Sequence, residues 1–233
     1  MTSNTKVWDL PTRIFHWALA ASFAGAYVLS ESERLRNVHV ALGYTVLGLL
    51  AFRLVWGFIG PRYARFSSLV HSPVGAFRYL RDELRGRAPR YLGHNPAGSW
   101  AVFGLLILGM ATGVTGYLNF NELGGGSMEE LHEAFANAWL VLVGLHIVGI
   151  VFSSVMQREN LARSMITGFK RGVAENTEPR NARGLGLAMV AAILGFWGWT
   201  ATSGGVAPGA GQGQGQRQGE QSELATARET DDD

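Results

Sequence analysis

The apolar residues of this chain fall into long blocks separated by strongly charged loops, the pattern a polytopic membrane protein requires. Five blocks are long enough to cross a hydrocarbon core, which takes about 20 helical residues. They run from about Ile14 to Ser30, Val38 to Ile59, Ser99 to Leu118, Met128 to Met156 and Leu185 to Thr200. The fifth is short and carries Gly186, Gly195 and Gly198, but its Leu, Ala, Val, Ile and Trp content favours insertion. Ser127 with Glu130 reads as a capping box opening the fourth span, which places His132 in its first turns.

Between the second and third spans, Ser72-Pro73 followed by Val74, Phe77, Leu80, Leu84 and then Gly86 predicts a capped amphipathic helix. It would either lie on the membrane surface or pack in a small cytoplasmic lobe. The Gly, Gln and acidic stretch from Ser203 to Asp233 cannot bury a core and is expected to be disordered. Three regions result: a bundle of the first four spans over 1–170, a linker and fifth span over 171–202, and the tail over 203–233. The fold class is all-α: a transmembrane four-helix bundle, a fifth transmembrane helix and an amphipathic interfacial helix.

Charge adds an orientation. Arg62, Arg65, Arg78, Arg81, Arg85, Arg87 and Arg90 crowd the second loop, and Arg158, Arg163, Lys170, Arg171, Arg180 and Arg183 follow the fourth span. The third loop, Asn119 to Ser127, holds no Lys or Arg, and the short first loop is mixed. By the positive-inside rule the amino terminus is cytoplasmic and, after five spans, the carboxyl terminus periplasmic. The opening segment lacks a secretory cleavage pattern, so the first span reads as a retained helix. The net charge of +2 is small and carries little information; lipid is the expected surrounding medium and no nucleic-acid partner is expected.

With no cysteine, disulfides, iron–sulfur clusters, thiolate zinc sites and covalent haem attachment are all excluded. The six histidines are then the residues to account for. Four fall inside spans, where an ionisable group is costly and points to function. His132 and His146 are 14 positions apart on one helix, which puts them within ~40° of the same face and ~21 Å apart along the axis. Depth selects the partners: His39 shares the outer level with His132, and His16 the inner level with His146. Histidines facing each other across helices suit a noncovalent haem with two axial ligands. Gly25, Gly43, Gly48, Gly144 and Gly149 would let a porphyrin approach. Arg13, Arg53 and Arg158 on the cytoplasmic side, and Arg34 or Arg36 outside, are placed to meet propionates, although each one taken singly is better explained as a topology-setting, snorkelling arginine. His71 and His94 read as ordinary surface or interfacial histidines of the second loop. Neither H-x-x-H nor H-E-x-x-H occurs.

Trp8-Asp9-Leu10-Pro11-Thr12-Arg13 with Phe15-His16-Trp17, and Arg53-Leu54-Val55-Trp56-Gly57-Phe58-Ile59-Gly60 closing the second span, resemble the bacterial cytochrome b561 family, as do Leu131-His132 and His146. The likeness covers roughly residues 6 to 170 and extends to the b-type cytochrome subunits of nickel–iron hydrogenases. It implies an inner-membrane cytochrome with two haem b groups, ligated by His16 with His146 and His39 with His132. Such a protein passes electrons between the quinone pool and a periplasmic cytochrome c or other redox protein. The alternatives are a haem-bearing anchor subunit of a hydrogenase or dehydrogenase complex and, from another class, a transporter or proton channel. A homodimer or larger assembly is compatible with each.

Overall fold

The computed structural model describes residues 4–172 and 182–206. Seven helices are described: α1 (Leu10–Val28), α2 (Arg36–Ile59), α3 (Pro73–Leu84), α4 (Pro96–Phe120), α5 (Ser127–Gln157), α6 (Leu161–Thr167) and α7 (Arg183–Thr202). Two short strands, β1 (Asn4–Lys6) and β2 (Phe169–Arg171), pair antiparallel with Asn4 opposite Arg171. The 171–202 linker lies partly outside the described residues, and the expected disordered tail does so from residue 207.

Four helices are long and apolar enough to cross a membrane: α2 with the turn before it, α4, α5 and α7. The first expected span, α1, has 19 residues but is not among them, because Arg13 and His16 dilute its opening turns. It still packs along α2 as part of the bundle, which α4 and α5 complete as a second antiparallel pair. The fifth span lies outside that bundle against α1, where Gly186 meets Leu10 and Ile14 and Met189 reaches the core. That core joins Phe15 and Phe23 of α1, Val46, Leu49 and Leu50 of α2, Leu106 of α4 and Trp139 of α5.

The two motifs singled out in the sequence meet at the basic end of the bundle. Asp9, 2% exposed, caps α1 by accepting from the Thr12 backbone N–H at 3.2 Å. Its other oxygen accepts from Trp56 Nε1 at 2.9 Å, fixing the end of α2 to the start of α1. Trp8 donates to Ser164 Oγ at 3.2 Å, and the Val7 and Trp8 amides both reach the Gly168 carbonyl, tying α6 to the same point. In the second motif Gly57 is obligatory: a Cβ there would sit 2.2 Å from the Phe66 ring.

Two local expectations change. The capping box at Ser127 does not form: Gly126 is the N-cap, Ser127 is already helical, and its hydroxyl turns back to the Gly124 carbonyl at 3.5 Å. Gly124 and Gly125 at φ 114° and 73° set that turn, and Glu129 and Glu130 remain favourable beside the helix N-terminus. Helix α3 does form with Ser72 as its cap, accepting from Gly75 N at 3.0 Å. However, it docks by Tyr79 and Glu83 rather than by its apolar stripe. Val74, Phe77, Leu80 and Leu84 stay 46–70% exposed, so the stripe faces away from the protein, as a helix on a membrane surface requires.

The docking bond is a buried network. The Glu83 carboxylate accepts from Ser153 Oγ of α5 at 2.7 Å and from the Tyr79 hydroxyl at 3.1 Å. The Tyr79 oxygen in turn accepts from Asn95 and Gln157. Burial, then the charge of Glu83, pushes the Tyr79 phenol well above its ordinary value, so it stays a donor. Glu83→Ala should leave Tyr79 and Ser153 without their acceptor and cost about 1–3 kcal/mol. Thermal unfolding in detergent, with tryptic cleavage after Arg85 and Arg87, would read the loss. Arg81→Ala breaks only the exposed Arg81–Asp82 pair and should change stability by less than about 1 kcal/mol.

Candidate haem-binding site

The spacing on α5 sets two levels, one at His132 and one four turns on at His146. At the first level, the rings of His39 on α2 and His132 on α5 stand with centroids 6.1 Å apart and planes at 85°. Two imidazoles on opposite sides of one iron, each bonded at about 2 Å, hold their ring centres about 6 Å apart. The opposite edge of each ring is already engaged. His39 Nδ1 lies 2.8 Å from the Ala26 carbonyl, and His132 Nδ1 2.9 Å from the Thr112 carbonyl. A carbonyl can only accept, so Nδ1 carries the proton on both rings and Nε2 keeps its lone pair. That is the tautomer a metal-ligating histidine needs, held by the partner such histidines commonly have. Gly116 of α4 makes this possible for His132: a Cβ there would meet the imidazole at 2.8 Å.

At the second level His16 of α1 and His146 of α5 are near enough to interact electrostatically. His16 Nδ1 is buried and has no hydrogen-bond partner. Each ring is half-buried. An added Cβ would meet nothing within 4 Å at Gly43, one turn from His39, whereas Gly144 and Gly149 near His146 are open because they lie on the exposed surface of α5. Gly48 is equally open, whereas Gly25 touches Leu42 at 3.1 Å. Four imidazoles and their lone pairs form a donor set suited to haem. Among the described residues no cluster of three or more His, Cys, Asp or Glu could hold a bare metal ion.

Trp139 lies midway between the levels, seven residues from each α5 histidine and within ~20° of their face. It is 3% exposed, packs on Phe23 with ring centroids 4.3 Å apart, and keeps Nε1 without a partner. The periodicity that located His132 and His146 also locates Trp139, but an indole in an apolar helix does not stand out as a histidine does.

The arginines differ in position. Arg53 is 4% exposed with its guanidinium 5.0 Å over the Phe66 ring, and its Nη1 has no partner. Arg13 donates through Nη1 to the Ile166 carbonyl. Arg158 is exposed and caps α5 in the left-handed conformation. Arg34 and Arg36 are exposed at the opposite end.

His94 departs from expectation. Its ring stands against Trp8 with centroids 4.8 Å apart, and its Nδ1 is buried without a partner. Burial, then the charges of Arg53 and Lys170, pushes the imidazole down to about 3, so it is neutral at physiological pH. It is a half-buried histidine with a buried Nδ1, near the level of His16 and His146. The loop bearing it folds inward because Asn95, the cap of α4, is tied to Tyr79. His71 remains half-exposed. A cleft of about 750 Å³ lined by Arg62, Arg65, His71 and Arg90 runs up to His94 at the basic end.

Comparison with known proteins agrees with this arrangement. Residues 7–168 match the family model described as prokaryotic cytochrome b561, a span that holds all four bundle histidines and stops before α7. Similar proteins include the probable Ni/Fe-hydrogenase B-type cytochrome subunits of Rhizobium leguminosarum bv. viciae (24% identical, 71% of this chain and 88% of the relative) and Azotobacter chroococcum mcd 1 (27%, 70% and 87%). The probable Ni/Fe-hydrogenase 1 B-type cytochrome subunit of Escherichia coli (strain K12) is 23% identical over 70% of this chain and 89% of its own length. No solved structure gives a match. With a transmembrane helical bundle, facing histidines and a family model matched from α1 to α6, the chain belongs to the prokaryotic cytochrome b561 family, and is a multi-pass membrane b-type cytochrome that works in electron transfer.

Proposed function

We propose that this chain is the haem-bearing membrane subunit of a redox complex, carrying electrons across the bilayer between a catalytic partner and the quinone pool. The similarity to hydrogenase-associated cytochrome subunits favours this reading over a stand-alone conduit to a periplasmic cytochrome c. The observation that carries the two-ligand site is the His39–His132 pair, 6.1 Å apart with both Nδ1 atoms held by backbone carbonyls.

In this reading His39 with His132, through Nε2, and His16 with His146 would each hold one haem b. Haem b, when bound, supplies a one-electron iron couple. The protein does the rest. Two histidines for each haem would leave no ligand place for oxygen or substrate, which favours electron transfer over chemistry at the metal. The Ala26 and Thr112 carbonyls fix the ring orientations and raise ligand basicity. The rigid α5 holds the levels ~21 Å apart along its axis, so one electron crosses the membrane in two steps. The arginine-rich end, with the amino terminus, α3 and α6, lies at the cytoplasmic face of the inner membrane. The end with no Lys or Arg in its Asn119–Ser127 loop faces the periplasm, where a catalytic partner would dock.

Two haems per polypeptide are expected from the pyridine haemochrome of purified protein. His132→Ala and His39→Ala should each remove the same one, and His146→Ala and His16→Ala the other. Gly43→Leu, one turn from His39 on α2 where an added side chain meets open space, should lower the occupancy of that level. Haem content unchanged in both His132→Ala and His146→Ala would overturn the assignment.

The complex reading makes a separate prediction. Gentle solubilisation of membranes, followed by affinity purification of this chain, should bring down a larger catalytic subunit exposed to the periplasm. Quinol-dependent electron transfer at full rate by the isolated chain would instead favour the stand-alone conduit.

A further inference from the structure

Arg53 stands on α2 14 residues beyond His39, the same offset that separates His132 from His146. It therefore presents on the face of α2 that carries His39, at the depth of His16 and His146. A guanidinium is always charged, and burying one without an anion is costly. Yet no described carboxylate lies within 4.0 Å of Arg53. The nearby Asp9 is engaged with Thr12 and Trp56. The Phe66 ring shields one face of the guanidinium, and Nη1 is left with no acceptor.

Two further groups converge on the same place. His94 interacts electrostatically with Arg53, Lys170, His16 and His146, and its buried Nδ1 has no partner. Lys170 is 7% exposed and spends one hydrogen bond on the Tyr91 carbonyl at 2.8 Å. Asp9 acts on Arg53 and Glu159 on Lys170 through space, but Arg53 Nη1 and His94 Nδ1, beside a candidate ligand pair, lack an oxygen acceptor. A carboxylate supplies two such oxygens, and charge-assisted bonds to it are the strong ones.

We propose that Arg53 and His94, with Lys170 behind them, form a carboxylate-binding site that takes a propionate of the haem held by His16 and His146. The assignment rests on the reading of the inner level as a haem site and adds to it the residues that would anchor and orient the macrocycle. Arg53 Nη1 donates to one propionate oxygen and His94 Nδ1–H to the other, which satisfies both orphaned atoms. The loop carrying His94 thereby closes over the cytoplasmic edge of the haem. Removing a cation beside the haem destabilises the reduced iron, so Arg53 raises the potential of this haem alone.

The test uses the purified full-length chain with its haems, and its readouts are redox titration and resonance Raman spectra of the propionate bending modes. His146→Ala first identifies which of the two redox steps belongs to the inner level. Arg53→Gln is then expected to lower the midpoint of that step and leave the other in place. His94→Leu changes no charge; it should shift the propionate mode of the same haem, and His94→Gln, which keeps a donor, should restore it. If Arg53→Gln fails to fold, the His94 pair decides alone. Loss of a haem in His146→Ala, with the inner midpoint and propionate mode unmoved in Arg53→Gln and His94→Leu, would overturn the propionate site and leave the haem reading intact. Unchanged haem content and two unchanged redox steps in His146→Ala would overturn the haem reading itself.

Discussion

A buried carboxylate at the start of the first helix holds the basic end together. Asp9 closes the first turn of α1 and at the same time accepts the indole proton of Trp56, nearly five turns down α2 from the level of His39. Because both oxygens are used, the group is satisfied despite being 2% exposed. The consequence is geometric. With α1 and α2 fixed at that end, His16 and Arg53 are brought to one depth, and the Gly168 carbonyl that receives the Val7 and Trp8 amides draws α6 and Lys170 to the same place. Loss of Asp9 would release three segments at once. The residues that gave the family resemblance are thus joined to each other: the tryptophan of the second motif is the hydrogen-bond partner of the aspartate in the first.

The two ends solve their polar accounting differently. At the His39–His132 end, backbone carbonyls of neighbouring helices serve the imidazoles, because Ala26 lies at the frayed end of α1 and Thr112 turns its hydroxyl to Leu108 while its carbonyl meets His132. At the basic end, Thr12, Arg13, His16, Arg53 and His94 each keep a buried atom without a partner. In a medium with no water to supply the missing bond, such atoms are expensive. Their concentration at one end fits a polar ligand better than five independent defects.

What the sequence disclosed follows from periodicity. Helical spacing assigns depth and face, so the spans, the two histidine levels and the cap at Ser72 were legible. Contacts that depend on chain segments distant in sequence were not. Gly126 displaces Ser127 as a cap because two glycines with positive φ turn the chain before it. The stripe of α3 reads as a face to be buried, yet its direction is set by Glu83 finding Ser153, 70 residues away. His94 looked like a loop histidine because nothing local says that its loop packs under Trp8. Its role is visible only when Arg53, from another helix, stands beside it.

The spacing of the levels also has a packing cause. α5 carries His132, Trp139 and His146 at intervals of seven, and seven residues return almost to the same face of a helix. Trp139 fills the centre of the bundle against Phe23, against a Gly109 that leaves it room, and beside Leu50. That packing keeps the two imidazole levels apart in the bundle interior. A smaller residue at 139 would remove core volume between them. The indole therefore does for the interior what Asp9 does for the end: it fixes how the helices that carry the histidines pack against one another.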